Sequence, residues 1–123
     1  MEIDAQLKKL IEENALAFAT VDESGKPHCI AIGFAKVVSP NQILITDNFM
    51  GETRINLKTK PQVSLCVWSR DWEENCVGFE LKGNAEVFTE GQWHDQVKKM
   101  PKNEGCPCKA AILVTVEKIK KLS

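Results

Sequence analysis

Between Ile43 and Trp68, the stretch ILITDNFMGETRINLKTKPQVSLCVW brings hydroxyls, amides and a guanidinium close together: Thr46, Asn48, Thr53, Arg54 and Asn56. These groups can hold a phosphate, especially where a helix start adds free backbone N–H donors. The same residues also suit a structural task, capping a short helix and its flanking turn. Both readings need one local geometry, in which a strand end, a polar turn and a helix start meet.

The pattern around these residues supplies that geometry. Ile43-Leu44-Ile45-Thr46 is a short apolar run that predicts a buried strand. It stops at Asp47-Asn48, whose side chains bond nearby backbone and favour turns. Glu52 to Lys60 carries apolar residues only at Ile55 and Leu57, which predicts a short surface helix. Pro61 forbids its continuation, and Val63 to Trp68 starts another strand.

Upstream, Ile3, Leu7, Leu10 and Ile11 fall at helical spacing, with Asp4 as N-cap and Asn14 as stop. Ala15 to Val21 reads as a strand, Asp22 to Pro27 as a hairpin turn in which Gly25 supplies a positive φ, and His28 to Val38 as a single return strand. Ser39-Pro40-Asn41-Gln42 turns the chain back. Downstream, Ser69 to Asn75 is a charged loop and Cys76 to Phe88 a long strand, with Gly83 marking a bulge or sharp bend. Thr89-x-x-Gln92 fits a capping box opening a helix to about Met100, with Trp93 and Val97 on its buried face. After a loop from Pro101 to Lys109, Ala110 to Val116 is a final buried strand. The expectation is mainly β: six antiparallel strands in a small closed or split barrel with flanking helices, one domain over residues 1–123.

The bulk properties narrow the function. With 43% hydrophobic and 27% charged residues the chain is ordinary for a soluble globular protein. Its net charge of −1 gives no reason to expect nucleic acid or an anionic membrane as partner. The N-terminus lacks a basic region followed by an apolar core, and no apolar run approaches the length of a membrane span, so a cytoplasmic location is expected. Five cysteines make an odd number and argue against a disulfide framework.

Other constellations carry less. Cys106-Pro107-Cys108 with His94 upstream lacks the paired spacing of a structural zinc site, so no metal is expected. Cys29, Cys66 and Cys76 lie in strand patterns, where cysteine is a small hydrophobe. His28 and Cys29 are adjacent, and on a strand they face opposite ways, so they form no nucleophile–base pair. Asp71, Glu73 and Glu74 share one loop and read as a solvated face. Trp68 and Trp72 fit an interface, and Trp68 fits the core equally well.

Taken in order, ATVDESGKPHCIAI, ILITDNFMGETRINLKTKPQVSL, GFELKGNAEVF and AAILVTV resemble the flavin-binding split-barrel family, which includes pyridoxamine-phosphate oxidases and small FMN-binding proteins. The matching pieces cover about residues 15 to 117, and the more specific part is a Thr-x-x-Asn-Leu helix before a Pro-x-Val-Ser-Leu strand. The resemblance implies an FMN-dependent oxidoreductase that is a homodimer with FMN at the subunit interface. By position it assigns Thr53, Asn56, Thr46, Asp47 and Asn48 to the cofactor, with Ala31 and Ile32 approaching the flavin ring. One residue departs from the pattern: Glu52 stands where relatives often have lysine, so either Arg54 supplies positive charge to the phosphate or phosphate binding is weaker. The chain is shorter than pyridoxamine-phosphate oxidases with their C-terminal extension, and nothing in it marks that substrate, so their reaction is not assigned. Two alternatives stay open: a deazaflavin-dependent reductase, and a dimeric binding module of the same fold without the cofactor. A flavin carries its own redox chemistry, which agrees with the lack of a catalytic dyad in the sequence.

Overall fold

The structure is a computed structural model and describes residues 2–122. Among them, seven strands make one antiparallel sheet: β1 (Leu16–Val21), β2 (Pro27–Ile32), β3 (Ala35–Ser39), β4 (Gln42–Asp47), β5 (Gln62–Trp68), β6 (Gly78–Phe88) and β7 (Ala110–Lys121). Helices α1 (Ala5–Glu13), α2 (Glu52–Leu57) and α3 (Gln92–Lys98) flank it, and a 3-10 turn spans Pro101–Asn103.

The sheet order is β2-β1-β5-β6-β7-β4-β3, so β2 and β3 lie at its two ends. Only Gly33 and Phe34 connect them. From Ile32 to Ala35 an extended chain reaches about 11 Å. The two ends of the sheet must therefore curl toward each other, and no ladder joins them: this is a split barrel. The expected single return strand from His28 to Val38 is thus two strands, because the chain changes sheet partner at Gly33-Phe34, from β1 to β4. That is why the count is seven and not six.

The apolar alternation of the strands builds the core. Phe18, Leu65, Leu81, Ile43, Ile45, Ile112 and Val114 fill the barrel, and Leu7 and Ile11 of α1 pack onto them. Asp4 caps α1 as expected, its carboxylate accepting from the Leu7 N–H at 2.8 Å. β4 is buried on both faces, because Leu44 packs outward into a second cluster with Val97, Met100, Ala111 and Leu113 under α3. This explains why its sequence is a continuous apolar run rather than an alternation.

Gly83 sits where the β6–β7 register shifts, and a Cβ there would lie 2.0 Å from the Thr115 carbonyl oxygen. Only glycine permits that close approach. The Thr89 capping box does not form: α3 starts at Gln92 behind Gly91, whose φ of 91° is left-handed, and no side chain caps it. Thr89 and Glu90 are carried away from the helix by that glycine. Trp68, read as core or interface, is 44% exposed, which removes the core reading. Among the described residues no helix is long and apolar enough to cross a membrane.

Candidate functional site

β4 ends at Asp47, and the loop from Asn48 to Gly51 leads into α2. Asp47 is fully buried, and its carboxylate accepts from the Met50 N–H at 3.0 Å and from Arg54 through Nε at 2.5 Å and Nη2 at 3.0 Å. Arg54 Nη2 also donates to the Met50 carbonyl at 2.6 Å. The hydrogen bond to Asp47 raises the Arg54 pKa above its ordinary value, against the opposing effect of burial, so the guanidinium remains charged. This fork folds the loop back on the helix and fixes where β4 hands over to α2.

Asn56 and Leu57 anchor the other face of α2. Asn56 Nδ2 donates to Thr20 Oγ1 at 3.0 Å in a buried bond that ties the helix to β1. With those contacts set, Glu52 and Thr53 face a groove of about 790 Å³ between α2, β2 and the turn before β7. Its apolar wall is Ile30, Ile32, Phe34 and Met50, with Phe49 at the rim, 81% exposed. Its polar wall carries Thr46, Asn48, Thr53 and Asn103, with Lys102, His28 and Glu52 around it.

The polar groups differ in what they already bond. Thr46 Oγ1 accepts from Asn103 Nδ2 at 2.8 Å, and Asn48 Oδ1 accepts from the Cys108 N–H at 2.9 Å. Those bonds leave the Thr46 hydroxyl proton and the Asn48 amide N–H groups as donors. His28 Nδ1 lies 3.0 Å from Glu52 Oε2, so the carboxylate at the start of α2 has a partner. Thr53 Oγ1 is different: the residue is 1% exposed and its hydroxyl oxygen has no hydrogen-bond partner. Buried polar atoms are rarely left so, and one on a groove wall points to a ligand.

Of the residues singled out in the sequence, the structure brings Thr46, Asn48, Thr53, Ala31 and Ile32 to the groove. Asp47, Arg54 and Asn56 do not line it; they hold the loop and helix in place by the bonds just described. The contact between His28 and Glu52 was not legible in the sequence, nor was the place of Phe34, Lys102 and Asn103 on the groove. Phe49 alone gave a signal, as an aromatic in a polar turn.

The cysteines stand apart. Burial, first, and Cys106, second, push the Cys108 thiol up, with Lys98 opposing. Burial pushes Cys66 up as well, helped by Glu80 and Cys29. A raised thiol is a poor nucleophile. Cys108 adopts a left-handed φ of 45°, held between Asn48 and the His94 ring, whose Nε2 donates to the Cys108 carbonyl at 2.7 Å. Among the described residues no three histidine, cysteine or acidic side chains converge as a metal site would need. Elsewhere on the surface, Cys66, Trp68, Trp72, Gly78 and Leu122 line a shallow apolar hollow of about 300 Å³.

Comparison with known proteins supplies the family. A family model described as pyridoxamine 5'-phosphate oxidase matches residues 3–123. Curated proteins give no match. Among solved structures, HupZ of Group A Streptococcus is similar at 28% identity and a TM-score of 0.87, covering 98% of this chain and 94% of that one. An FMN-binding protein from Syntrophomonas wolfei is similar at 17% identity and a TM-score of 0.78, covering 94% and 83%. HutZ, the heme storage protein from Vibrio cholerae, is similar at 18% identity and a TM-score of 0.72, covering 98% and 94%. The last two likenesses show the fold alone. Since the family model spans nearly the whole chain, the protein belongs to the pyridoxamine 5'-phosphate oxidase family.

Proposed function

We propose that this protein is an FMN-binding flavoprotein and an oxidoreductase, with the cofactor in the groove between β2 and α2. The observation that carries the reading is the buried, unpartnered hydroxyl of Thr53 on the groove wall. The donor set fits the group. Thr53, Thr46 and Asn48 offer hydroxyl and amide donors to a phosphate, while Ile30, Ile32 and Phe34 offer an apolar wall to a ring system. A volume of about 790 Å³ lies within the range of cofactor sites. When bound, FMN supplies the hydride and electron chemistry, and the protein's task is to hold and orient it. Asp47 and Arg54 act from behind, by fixing the loop that carries Asn48 and the helix that carries Thr53.

The groove is open to solvent along Phe49, and a second copy of the chain is the cover we propose, through a homodimer. The half-exposed Trp68 and Trp72 and the hollow they share with Leu122 support an apolar contact between copies. The partner that exchanges electrons with the ring is a small-molecule substrate or a redox partner.

A second reading, a non-enzymatic binding module, has its own support. The fold is shared with a heme storage protein. The His28 ring has Nδ1 against Glu52, which leaves Nε2 as the nitrogen that could meet an iron. Absorption spectra of the purified protein, with mass spectrometry of whatever it releases, separate the readings. Flavin bands and a released mass equal to FMN support the first. A Soret band, with FMN neither released nor bound on addition, would leave the binding module. A released deazaflavin would replace FMN by that coenzyme in the same groove.

A further inference from the structure

Two basic side chains in or near the groove already have carboxylate partners. Arg54 is bound to Asp47 and to the Met50 carbonyl, and His28 is set against Glu52. Lys102 is different. It lines the groove, and among the described residues no carboxylate pairs with it. Its ammonium rests over the Phe34 ring, 4.4 Å from the centroid. An exposed contact of that kind is weak beside a charge-assisted hydrogen bond to a phosphate oxygen, so an anion in the groove would draw the ammonium away.

The backbone beneath Lys102 is held where such a move is useful. The next residue, Asn103, is buried, and its Nδ2 donates to Thr46 Oγ1 and to the Val97 carbonyl, each at 2.8 Å. The turn is therefore clamped to the end of β4, close in sequence to Asn48. A four-carbon stem then gives the ammonium reach from a fixed base. Thr53, which lines the same groove, presents its unpartnered buried hydroxyl.

We infer that Lys102, carried by the turn before β7, is the cation that neutralises the phosphate of the groove's ligand, with Thr53 donating the hydrogen bond its hydroxyl now lacks. The inference rests on the FMN reading. It makes the α3–β7 connection part of the cofactor site. It also gives the charge role to a residue outside the strand–helix stretch in which the sequence placed it, and it explains how Glu52 is tolerated: the acid has His28 as its own partner, and the positive charge for the phosphate comes from elsewhere.

The test compares FMN with riboflavin, which lacks the phosphate, by fluorescence titration of the full chain freed of flavin. Lys102→Ala and Lys102→Met should each weaken FMN about tenfold to a hundredfold and leave riboflavin within a factor of two or so, as expected for losing a hydrogen bond to a charged group. Lys102→Met keeps the stem against Phe34, so agreement between the two excludes a packing effect. Lys102→Arg should retain most of the FMN affinity. Equal losses for both flavins, or no loss for either, overturn the inference while the FMN reading stands. If the wild type binds neither flavin, the FMN reading falls, and phosphorus NMR with inorganic phosphate decides the rest. Phosphate binding that disappears in Lys102→Ala upholds the anion site, and no phosphate binding ends it.

Discussion

Replacing Arg54 with alanine leaves the Asp47 carboxylate fully buried and without its two guanidinium bonds. Removing one partner of a buried ion pair typically costs about 3–5 kcal/mol, because the remaining charge is unsolvated. Two facts move the expectation to the lower end. The Arg54 side chain is 31% exposed, so water can enter where it was. Asp47 also keeps its bond from the Met50 N–H. A loss of about 3 kcal/mol is a large part of the stability of a domain this size. It corresponds to a fall in Tm of roughly 10 °C. Urea unfolding measures it directly, as a lower midpoint at unchanged slope. Arg54→Lys should fall between, since an ammonium keeps the charge and loses the fork. In a double-mutant cycle with Asp47→Ala the losses should be strongly non-additive. The reasoning is refuted if Arg54→Ala unfolds within about 0.5 kcal/mol of wild type while losing FMN and keeping riboflavin. That pattern would return the guanidinium to the phosphate, as the sequence alone suggested.

Gly83→Ala would drive a Cβ to 2.0 Å from the Thr115 carbonyl, so the β6–β7 bulge must open; a loss of about 3 kcal/mol or more is expected in thermal unfolding. The raised pKa of Cys108 and Cys66 means the folded chain holds thiol protons that the unfolded chain releases. Their stabilisation is complete below the ordinary thiol range, about pH 8.5, and is lost as pH rises above it; midpoints measured across that range should decline, and less steeply in a Cys66→Ala, Cys108→Ala variant. In the same spirit, iodoacetamide at neutral pH should label exposed Cys29 and Cys76 first and Cys108 only on unfolding, as peptide mapping would show. Sedimentation equilibrium at micromolar protein should give a dimer burying on the order of 2,000 Å², and Trp68→Asp should give monomers; a wild-type monomer contradicts the proposed assembly.

The fold was legible where local pattern and tertiary demand agree. Ile43-Leu44-Ile45 read as a buried strand and is one, because α3 and the barrel cover its two faces. Asp4 and Gly83 declared their positions through capping and close approach, both properties of one residue type. The break between β2 and β3 was not legible, since Gly33-Phe34 carries no proline or turn pair and the change of partner is set by barrel closure. The capping box failed because Gly91, with its left-handed φ, starts the helix at Gln92. Thr46, Asn48 and Thr53 are contiguous with the strand end and helix that place them, so their grouping on one groove wall was legible in the sequence. The Arg54–Asp47 ion pair was not legible, because Asp47, seven residues away, is indistinguishable in sequence from a turn residue. Lys102 and Asn103 reach the groove only through the packing of α3 and its following turn, which no local pattern announces.

The proposal turns on the Thr53 hydroxyl, and Thr53→Val tests it most directly, being nearly isosteric at a position 1% exposed. A buried hydroxyl without a partner costs about 1–3 kcal/mol, so the valine variant without ligand should be more stable than wild type by about 1 kcal/mol. If FMN occupies the groove with its phosphate on that hydroxyl, the same variant should bind FMN about tenfold more weakly. One differential scanning experiment with and without FMN reads both effects: a higher Tm without FMN and a smaller rise in Tm on adding it. A variant that is less stable than wild type and binds FMN unchanged would show that the hydroxyl is satisfied within the protein, and the groove would lose its claim to the phosphate.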